Sequence, residues 1–264
     1  MRLLAWIDGR VVEASALHHD APFVMQRVHT LSRLVYHIDE HLEILRYDSE
    51  RLFGFASLCS VIDAREIIIS LLDHSRVSTS LSCPVAIRLN CRGELSFTVE
   101  ASTFGSGVYL RAKRFEGVVY ESNRPSTLTQ TSASVANDDF LDKSVRMYGG
   151  ERAVLVDKSL NVISRPWLPI FVAHRTKVYT PEEFETVEYR RAKEAIERAG
   201  FELVVRNIPA GSLEQIDEIF MVDIMSVTAL SKIGNHRLLS TVSARITKKN
   251  GVVITPFFYA RFLL

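Results

Sequence analysis

Two segments of alternating apolar and polar residues, joined by a short turn, most constrain how this chain can fold. The segment "PVAIRLN" (84–90) alternates, "CRG" follows as a turn, and "ELSFTVE" (94–100) alternates again with Leu95, Phe97 and Val99 on one face. A period of two places one face of each segment against a core. Because the connection is short, the pair predicts an antiparallel hairpin and hence an antiparallel sheet.

Two helical patterns precede this hairpin. The segments "DEHLEILRYDSERLFGF" (39–55) and "IDAREIIISLLDH" (62–74) carry apolar residues at intervals of three and four, with Asp39 and Asp63 as predicted N-caps. Further strands are predicted at "GVYLRAK" (107–113) and "EGVVYES" (116–122). The first half of the chain is therefore predicted to be α+β.

The second half mixes strands with two helices. A short helix, "DDFLDKSVRMY" (138–148), precedes Gly149 and Gly150, and a longer one follows Pro181 and ends at Gly200. The longer helix places on one side the residues Phe184, Val187, Ala195, Ile196 and Ala199. Strands are predicted at "RAVLVD" (152–157), "NVIS" (161–164), "PIFVAHRTKVYTP" (169–181), "FELVVRNI" (201–208) and "DEIFMVDI" (217–224). The predicted division is a small α+β domain over 1–115 and a larger α/β domain over 116–264.

The composition is that of an ordinary globular protein. The 264 residues are 47% hydrophobic and 24% charged, and the formal net charge is +1. A balanced charge without a long basic run predicts no nucleic-acid partner and no anionic membrane surface. Every apolar stretch is too short to span a bilayer, and in the opening "MRLLAWIDGR" the "DG" predicts a turn. The odd set Cys59, Cys83 and Cys91 predicts reduced packing residues and a cytoplasmic location.

A hydroxyl-rich loop lies between the halves. It carries no charge from 125 to 137 and is rich in serine and threonine. Such a junction before a helix is either an anion site at the helix start or a solvated connector, with "ANDD" (136–139) as the predicted N-cap. Because the loop joins a strand to a helix of one domain, it is predicted to be ordered.

Six segments follow one another along the chain in a characteristic order: "RLVYHIDEHLEIL", "RAVLVD", "NVIS", "IFVAHRTKVYTP", "YRRAKEAIERAGFELV" and "LEQIDEIFMVDIMSVTAL". This order resembles the class IV aminotransferases, the fold-type-IV pyridoxal-phosphate family that includes branched-chain and D-amino-acid aminotransferases and aminodeoxychorismate lyase. The resemblance covers nearly the whole chain and implies two domains, with the cofactor in a cleft between them. It also implies a homodimer, because a partner subunit commonly completes that cleft.

The resemblance places the lysine that forms the Schiff base at Thr131, give or take one residue. The candidates Gln130, Thr131 and Ser132 carry no amine. Lys143 follows about 12 residues after Thr131, roughly 18 Å away along a helix. It cannot replace the missing lysine without rebuilding the loop.

The other contacts that the resemblance implies for the cofactor are altered too. The matched positions are Ile44, Ser164, Val187, Arg190, Asp223, Ile224 and Met225, and of the motif that holds Val187 and Arg190 only Arg190 remains. Ile44 replaces the arginine that binds the cofactor phosphate in the family, and Ser164 replaces the glutamate that holds the pyridinium nitrogen. Val187 replaces a glycine, and Asp223 would repel a phosphate. The segment "DAPFVMQRV" also replaces an aromatic-glycine-aspartate pattern. Together, the missing lysine and these altered positions predict that the protein binds no pyridoxal phosphate.

Other chemistries find less support. The segment "HIDEH" (37–41) matches the H-x-x-E-H signature of zinc peptidases, but a cap at Asp39 would keep His37 and His41 off one helical face. His18, His19 and His174 are predicted to be solvated surface residues. Cys91 beside Arg92 is predicted to be structural, and no metal ligands are predicted.

Three functional hypotheses follow. The first is a class IV aminotransferase-like pseudoenzyme of the cytoplasm, with a binding or interaction role and a small-molecule ligand in the cleft. The second is an active aminotransferase or lyase with rearranged anchors. The third is an enzyme that uses the cleft for other chemistry, with the serine and threonine cluster and Asp223 as its polar groups.

Overall fold

The computed structural model describes residues 3–17, 20–79, 81–101, 113–122 and 129–250. The predictions for His18 and His19 and for most of the strand at 107–113 lie outside these residues. The same holds for part of the hydroxyl-rich loop, 123–128. The chain divides into two compact units, Met1–Val108, Thr127–Lys143 and Glu185–Val187 in the first, and Tyr109–Ser126, Ser144–Phe184 and Glu188–Leu264 in the second.

The first unit is built on one six-stranded sheet, in which all described strand pairs are antiparallel. Its strands are β1 (Leu4–Ile7), β2 (Arg10–Glu13), β3 (Phe23–Leu31), β4 (Leu34–Val35), β5 (Cys83–Asn90) and β6 (Leu95–Val99), in the order β2-β1-β6-β5-β3-β4. The predicted "DG" turn joins β1 to β2, with φ of 49° at Asp8 and 79° at Gly9, as a two-residue hairpin turn requires. The predicted hairpin is confirmed as β5 and β6, with Phe97 and Val99 in the core.

Two helices, α1 (Ile38–Phe53) and α2 (Val61–His74), pack apolar residues into the same core. Both predicted N-caps are wrong. The backbone of His37, in the left-handed region, precedes α1, and the Ser60 hydroxyl accepts the Asp63 N–H at 3.1 Å to cap α2. Asp39 and Asp63 instead lie in the first turns, where a carboxylate favours the positive end of the helix dipole.

The second unit contains the other sheet. Its strands are β7 (Lys113–Glu121), β8 (Arg152–Val156), β9 (Ile170–His174), β10 (Lys177–Thr180), β11 (Glu202–Val205), β12 (Glu218–Val222), β13 (Val227–Ile233) and β14 (His236–Arg237). They follow the order β11-β10-β9-β12-β13-β7-β8, and β14 pairs with β13. The predicted boundary between residues 115 and 116 falls inside β7, and a division into two domains at that point stays a prediction. "NVIS" makes isolated bridges rather than a regular strand, because its partners Val156 and Pro209 belong to different segments.

The described residues contain three further α-helices, α3 (Ser132–Met147), α4 (Val187–Arg198) and α5 (Thr241–Asn250). α3 begins six residues before its predicted start, and α4 begins after Phe184 rather than at Pro181. The five residues predicted on the apolar side of this segment are all buried, and Gly200, with φ of 82°, ends it. Cys83 is buried, whereas Cys91 is exposed at the β5–β6 turn, so packing does not explain Cys91.

No helix among the described residues combines the length and the apolar character needed to cross a bilayer.

Candidate functional site

The segment that the resemblance assigns to the lysine is built into the first unit. The Gln130 carbonyl accepts the Met25 N–H at 2.9 Å, and Thr131 forms an isolated antiparallel bridge with Val24 of β3. The Thr131 hydroxyl accepts the Ser134 N–H (3.3 Å), while the Ser134 hydroxyl accepts the Thr131 N–H (2.8 Å). This reciprocal pair caps α3. The predicted cap at 136–139 is therefore wrong, since those residues lie inside α3.

Lys143 lies on the same helix as Ser132 and is exposed. Because the helix rises 1.5 Å per residue, its backbone is roughly 18 Å from Thr131 along the axis. The segment 130–132 thus has no amine of its own, and Lys143 does not supply one there.

A group of buried polar side chains forms around Thr129, the residue directly before segment 130–132. The Thr129 hydroxyl donates to Asp48 Oδ1 at 2.7 Å and accepts from Arg51 Nη2 at 2.6 Å. Thr129 and Asp48 are 2% and 5% exposed. Burial raises the pKa of Asp48, and the hydrogen bond from Thr129 and the charge of Arg51 oppose this shift. The three residues, here called the Thr129 cluster, fix the chain before α3 to α1.

Removing the Thr129 hydroxyl tests how much this cluster contributes. Thr129→Val is expected to lower the free energy of unfolding by about 1 to 3 kcal/mol, because a buried carboxyl group loses a hydrogen bond that water cannot replace. Thr129→Ser keeps the hydroxyl and is expected to lose less. Urea denaturation measures both variants, and equal losses would contradict a role for the hydrogen bonds.

The histidines of "HIDEH" have different partners. His41 Nδ1 donates to Gln26 Oε1 of β3 at 2.9 Å, and both residues are buried. His37 precedes α1, and its Nδ1 lies 3.0 Å from Glu40 Oε1. Since His37 is outside the helix, the two imidazoles do not share a helical face. Within the described ranges, no group of three or more His, Cys, Asp or Glu residues could hold a metal ion.

Ser164 lies buried in the second unit, in the connection that leads to β9. Its hydroxyl accepts the Ile170 N–H at 3.0 Å, and its own N–H is donated to the carboxylate of Glu182. Burial raises the pKa of Glu182, and this hydrogen bond opposes the shift. The position matched to the family's glutamate therefore carries a serine that contacts a carboxylate from another segment.

Asp223 begins the turn between β12 and β13. One carboxylate oxygen, Oδ1, accepts the N–H groups of Met225 and Ser226, each at 2.7 Å. The Ser226 hydroxyl lies 3.1 Å from the second oxygen. Burial of the carboxyl group raises the pKa of Asp223, and these hydrogen bonds and the charge of Arg152 oppose the shift.

The predicted site positions divide between the two units. Ile44, Thr131 and Val187 belong to the first unit, and Ser164, Arg190, Asp223, Ile224 and Met225 belong to the second. Val187, Ile224 and Met225 are buried apolar side chains, whereas Arg190 is exposed on α4. Within the second unit, only the turn at 223–226 gathers several of the predicted residues.

Sequence reasoning missed Asp48, Thr129, Gln26 and Glu182. Asp48 follows His41 by seven residues, so both polar residues lie on the buried face of α1. A charged residue on the apolar face of a predicted helix is a signal that could have identified it. Thr129 and Glu182 carry no comparable signal, because their partners are distant in the sequence.

The side chains at these positions do not fit pyridoxal phosphate. A bound cofactor of this kind needs an amine for the imine, positive or neutral donors for the phosphate, and an anion for the pyridinium nitrogen. The segment 130–132 has no amine, Ile44 has no charge, and the Asp223 carboxylate holds the two turn amides. The Glu182 carboxylate, which is not at a matched position but accepts the Ser164 N–H, meets the third requirement.

No protein-family model matches the chain, and no curated protein matches it. Solved structures do match it over nearly its whole length. The branched-chain aminotransferase of the thermophilic archaeon Thermoproteus uzoniensis, solved with norvaline, is 16% identical, with a TM-score of 0.74 over 94% of this chain and 93% of that chain. An aminotransferase from Brucella abortus bound to PLP is 15% identical, with a TM-score of 0.77 over 94% and 97%.

The Escherichia coli branched-chain aminotransferase is 13% identical, with a TM-score of 0.75 over 94% of this chain and 92% of that chain. At this identity the likeness concerns the fold, since function depends on site residues that a fold does not specify. The predicted fold-type-IV architecture is confirmed.

Proposed function

We propose that this protein, whose fold is that of the class IV aminotransferases, carries out no pyridoxal-phosphate chemistry and serves as a binding or interaction protein. The observation that carries the proposal is the segment 130–132. It pairs with β3 and caps α3 through Gln130 and Thr131, and it presents no amine. Without an amine there is no imine to a carbonyl cofactor.

The way this segment is held adds to the argument. Thr131 uses its hydroxyl and its N–H in the reciprocal cap with Ser134, so its side chain already has a structural task. The Thr129 cluster fixes the preceding residue to α1. A rearrangement that brought the exposed Lys143 to this place would have to break both arrangements and unwind α3.

Three finer statements belong to the same proposal. We propose that the protein is cytoplasmic, that it forms a homodimer, and that a small molecule other than the cofactor is its ligand, in the cleft that the class IV enzymes use. Light scattering at micromolar concentration tests the homodimer, and a monomer would contradict it. A thermal-shift screen against cell metabolites tests the ligand.

A second function, an active enzyme with substitute anchors, is favoured by one observation. The Glu182 carboxylate accepts the Ser164 N–H, and it therefore lies beside the position matched to the pyridinium glutamate. Glu182 could hold a positively charged ring nitrogen. The amine and the phosphate donors would still have to come from elsewhere.

One experiment separates these two functions. The protein is incubated with pyridoxal phosphate, reduced with borohydride and analysed by intact mass and peptide mapping, while a parallel titration is followed by absorbance and calorimetry. The proposal predicts no saturable binding at micromolar concentration and no pyridoxyl-lysine adduct. An adduct at a single lysine, with saturable binding, would establish the active enzyme instead.

The variant Thr131→Lys extends this test. It supplies an amine at the matched position but leaves Ile44 and Asp223 unchanged, so it is expected to show no transamination. It also removes the hydroxyl that caps α3, which is expected to cost about 1 kcal/mol of stability. Measurable transamination by Thr131→Lys would show that only the lysine separates this chain from an active enzyme.

A further inference from the structure

The turn between β12 and β13 has the donor arrangement of an anion site. The N–H groups of two consecutive residues, Met225 and Ser226, converge on one oxygen atom at 2.7 Å each, and the Ser226 hydroxyl lies 3.2 Å from the same oxygen. Successive amides that point to one place form a concavity that binds anions. Here the oxygen belongs to the Asp223 carboxylate.

The residues around this carboxylate are buried, so its charge depends on the amides rather than on water for stabilisation. Ile224, Met225 and Ser226 are 9%, 5% and 1% exposed, and burial raises the pKa of Asp223. Against this, the amides, the Ser226 hydroxyl and the positive charge of Arg152 favour the ionised form. Arg152 is itself held in place over the Phe115 ring, 4.7 Å from its centroid. The converging amides of the turn and the positive charge of Arg152 on β8 thus act on the same carboxylate.

We propose that Asp223 is a resident anion: its carboxylate occupies the anion-binding amides of the 223–226 turn and closes them to phosphate-bearing ligands. Asp223 is then a specificity-determining residue, which directs the protein toward ligands without a phosphate at this point. The inference rests on the proposed function in one respect only, namely that no cofactor phosphate is bound at this turn.

A second aspartate provides the matched control. One oxygen of Asp157 accepts the N–H groups of Ser159 and Asn161, each at 2.9 Å. These amides are not consecutive, and Lys158, Ser159 and Leu160 are exposed. Asp157 therefore stabilises a turn by the same number of backbone hydrogen bonds without a buried amide concavity.

The test is chemical rescue of Asp223→Ala by small anions. The variant is expected to melt about 3 to 8 °C below the wild type, because two buried amides lose their acceptor. Formate, which has the size of the deleted group, and inorganic phosphate are then added at constant ionic strength with chloride as the reference. Saturable recovery of at least half the lost melting temperature by phosphate supports the proposal. Recovery by formate alone would show that the vacated amides hold a carboxylate but not phosphate, and it would contradict the role of Asp223 in excluding phosphate.

The controls make a failure informative. Asp157→Ala and the wild type are expected to gain less than about 1 °C from the same anions, so that a general salt effect is excluded. Asp223→Asn keeps an acceptor oxygen at the amides and is expected to show little rescue. If neither anion stabilises Asp223→Ala more than Asp157→Ala, the turn is an ordinary aspartate turn and the proposal is wrong. That result would leave the proposed function intact, since the wild-type titration tests it separately.

Discussion

Glu218→Ala is expected to lower the free energy of unfolding by about 3 to 5 kcal/mol. Glu218, at the start of β12, is fully buried, and its two carboxylate oxygens accept the N–H groups of Val242 and Ser243 at 2.8 Å each. These amides belong to the first turn of α5, where no intrahelical acceptor exists. Alanine would leave both without an acceptor and also leave a cavity.

Guanidinium denaturation with linear extrapolation measures this loss. Glu202→Ala is the control. Glu202 lies on the edge strand β11, and its exposed carboxylate pairs with Lys177 of the neighbouring strand β10. Water screens an exposed ion pair so strongly that it contributes little to stability, and this variant is therefore expected to resemble the wild type. A loss below about 1 kcal/mol for Glu218→Ala would show that α5 does not depend on this carboxylate.

Acidification below pH 6.5 is expected to destabilise the protein through His29. This residue of β3 is 1% exposed and stacks on Tyr36 with 5.0 Å between ring centroids. Burial, with a smaller effect from His37, lowers the pKa of His29 from 6.5 to about 3. Above pH 6.5 both the folded and unfolded states hold His29 neutral. Below it the unfolded state binds a proton that the folded state excludes, so stability is lost until the pH reaches about 3.

The loss is about 1.4 kcal/mol per pH unit, or about 4 to 5 kcal/mol over the whole interval. His29→Phe keeps a ring against Tyr36 and removes the titrating group, so its stability is expected to fall less steeply with pH. His74→Gln, at the exposed end of α2, is the control and is expected to follow the wild type. Parallel pH profiles for the wild type and His29→Phe would contradict the assignment to His29.

The interiors of α1, α2 and α4 could be predicted from the sequence, whereas the first residues of the helices could not. Periodicity identified the buried faces around Leu45, Ile68 and Ile196, because side-chain period and burial are local properties of an element. The first residues of α1 and α3 are instead set by features that the local sequence does not contain. His37 and Thr131 are positioned by backbone conformation and by pairing with β3, which no local pattern contains.

The candidate site divides in the same way. The absence of an amine at 130–132 is a property of the sequence and needed only the resemblance to be noticed. The use of Asp223 by its own turn could have been inferred from the short spacing to Ser226. The Thr129 cluster could not, because Asp48 and Thr129 are 81 residues apart and meet only in the folded unit.

The position of β7 in the second sheet has a consequence for synthesis of the chain. β7 pairs in parallel with β8 on one side and with β13 on the other, and β13 lies about 100 residues later in the sequence. At roughly 5 to 20 residues per second, one edge of β7 stays unpaired on the ribosome for about 5 to 20 s after it is made. During that interval the strands β1 to β6 already have all their sheet partners within the nascent chain. The order of translation thus favours completion of the first sheet before the second can close.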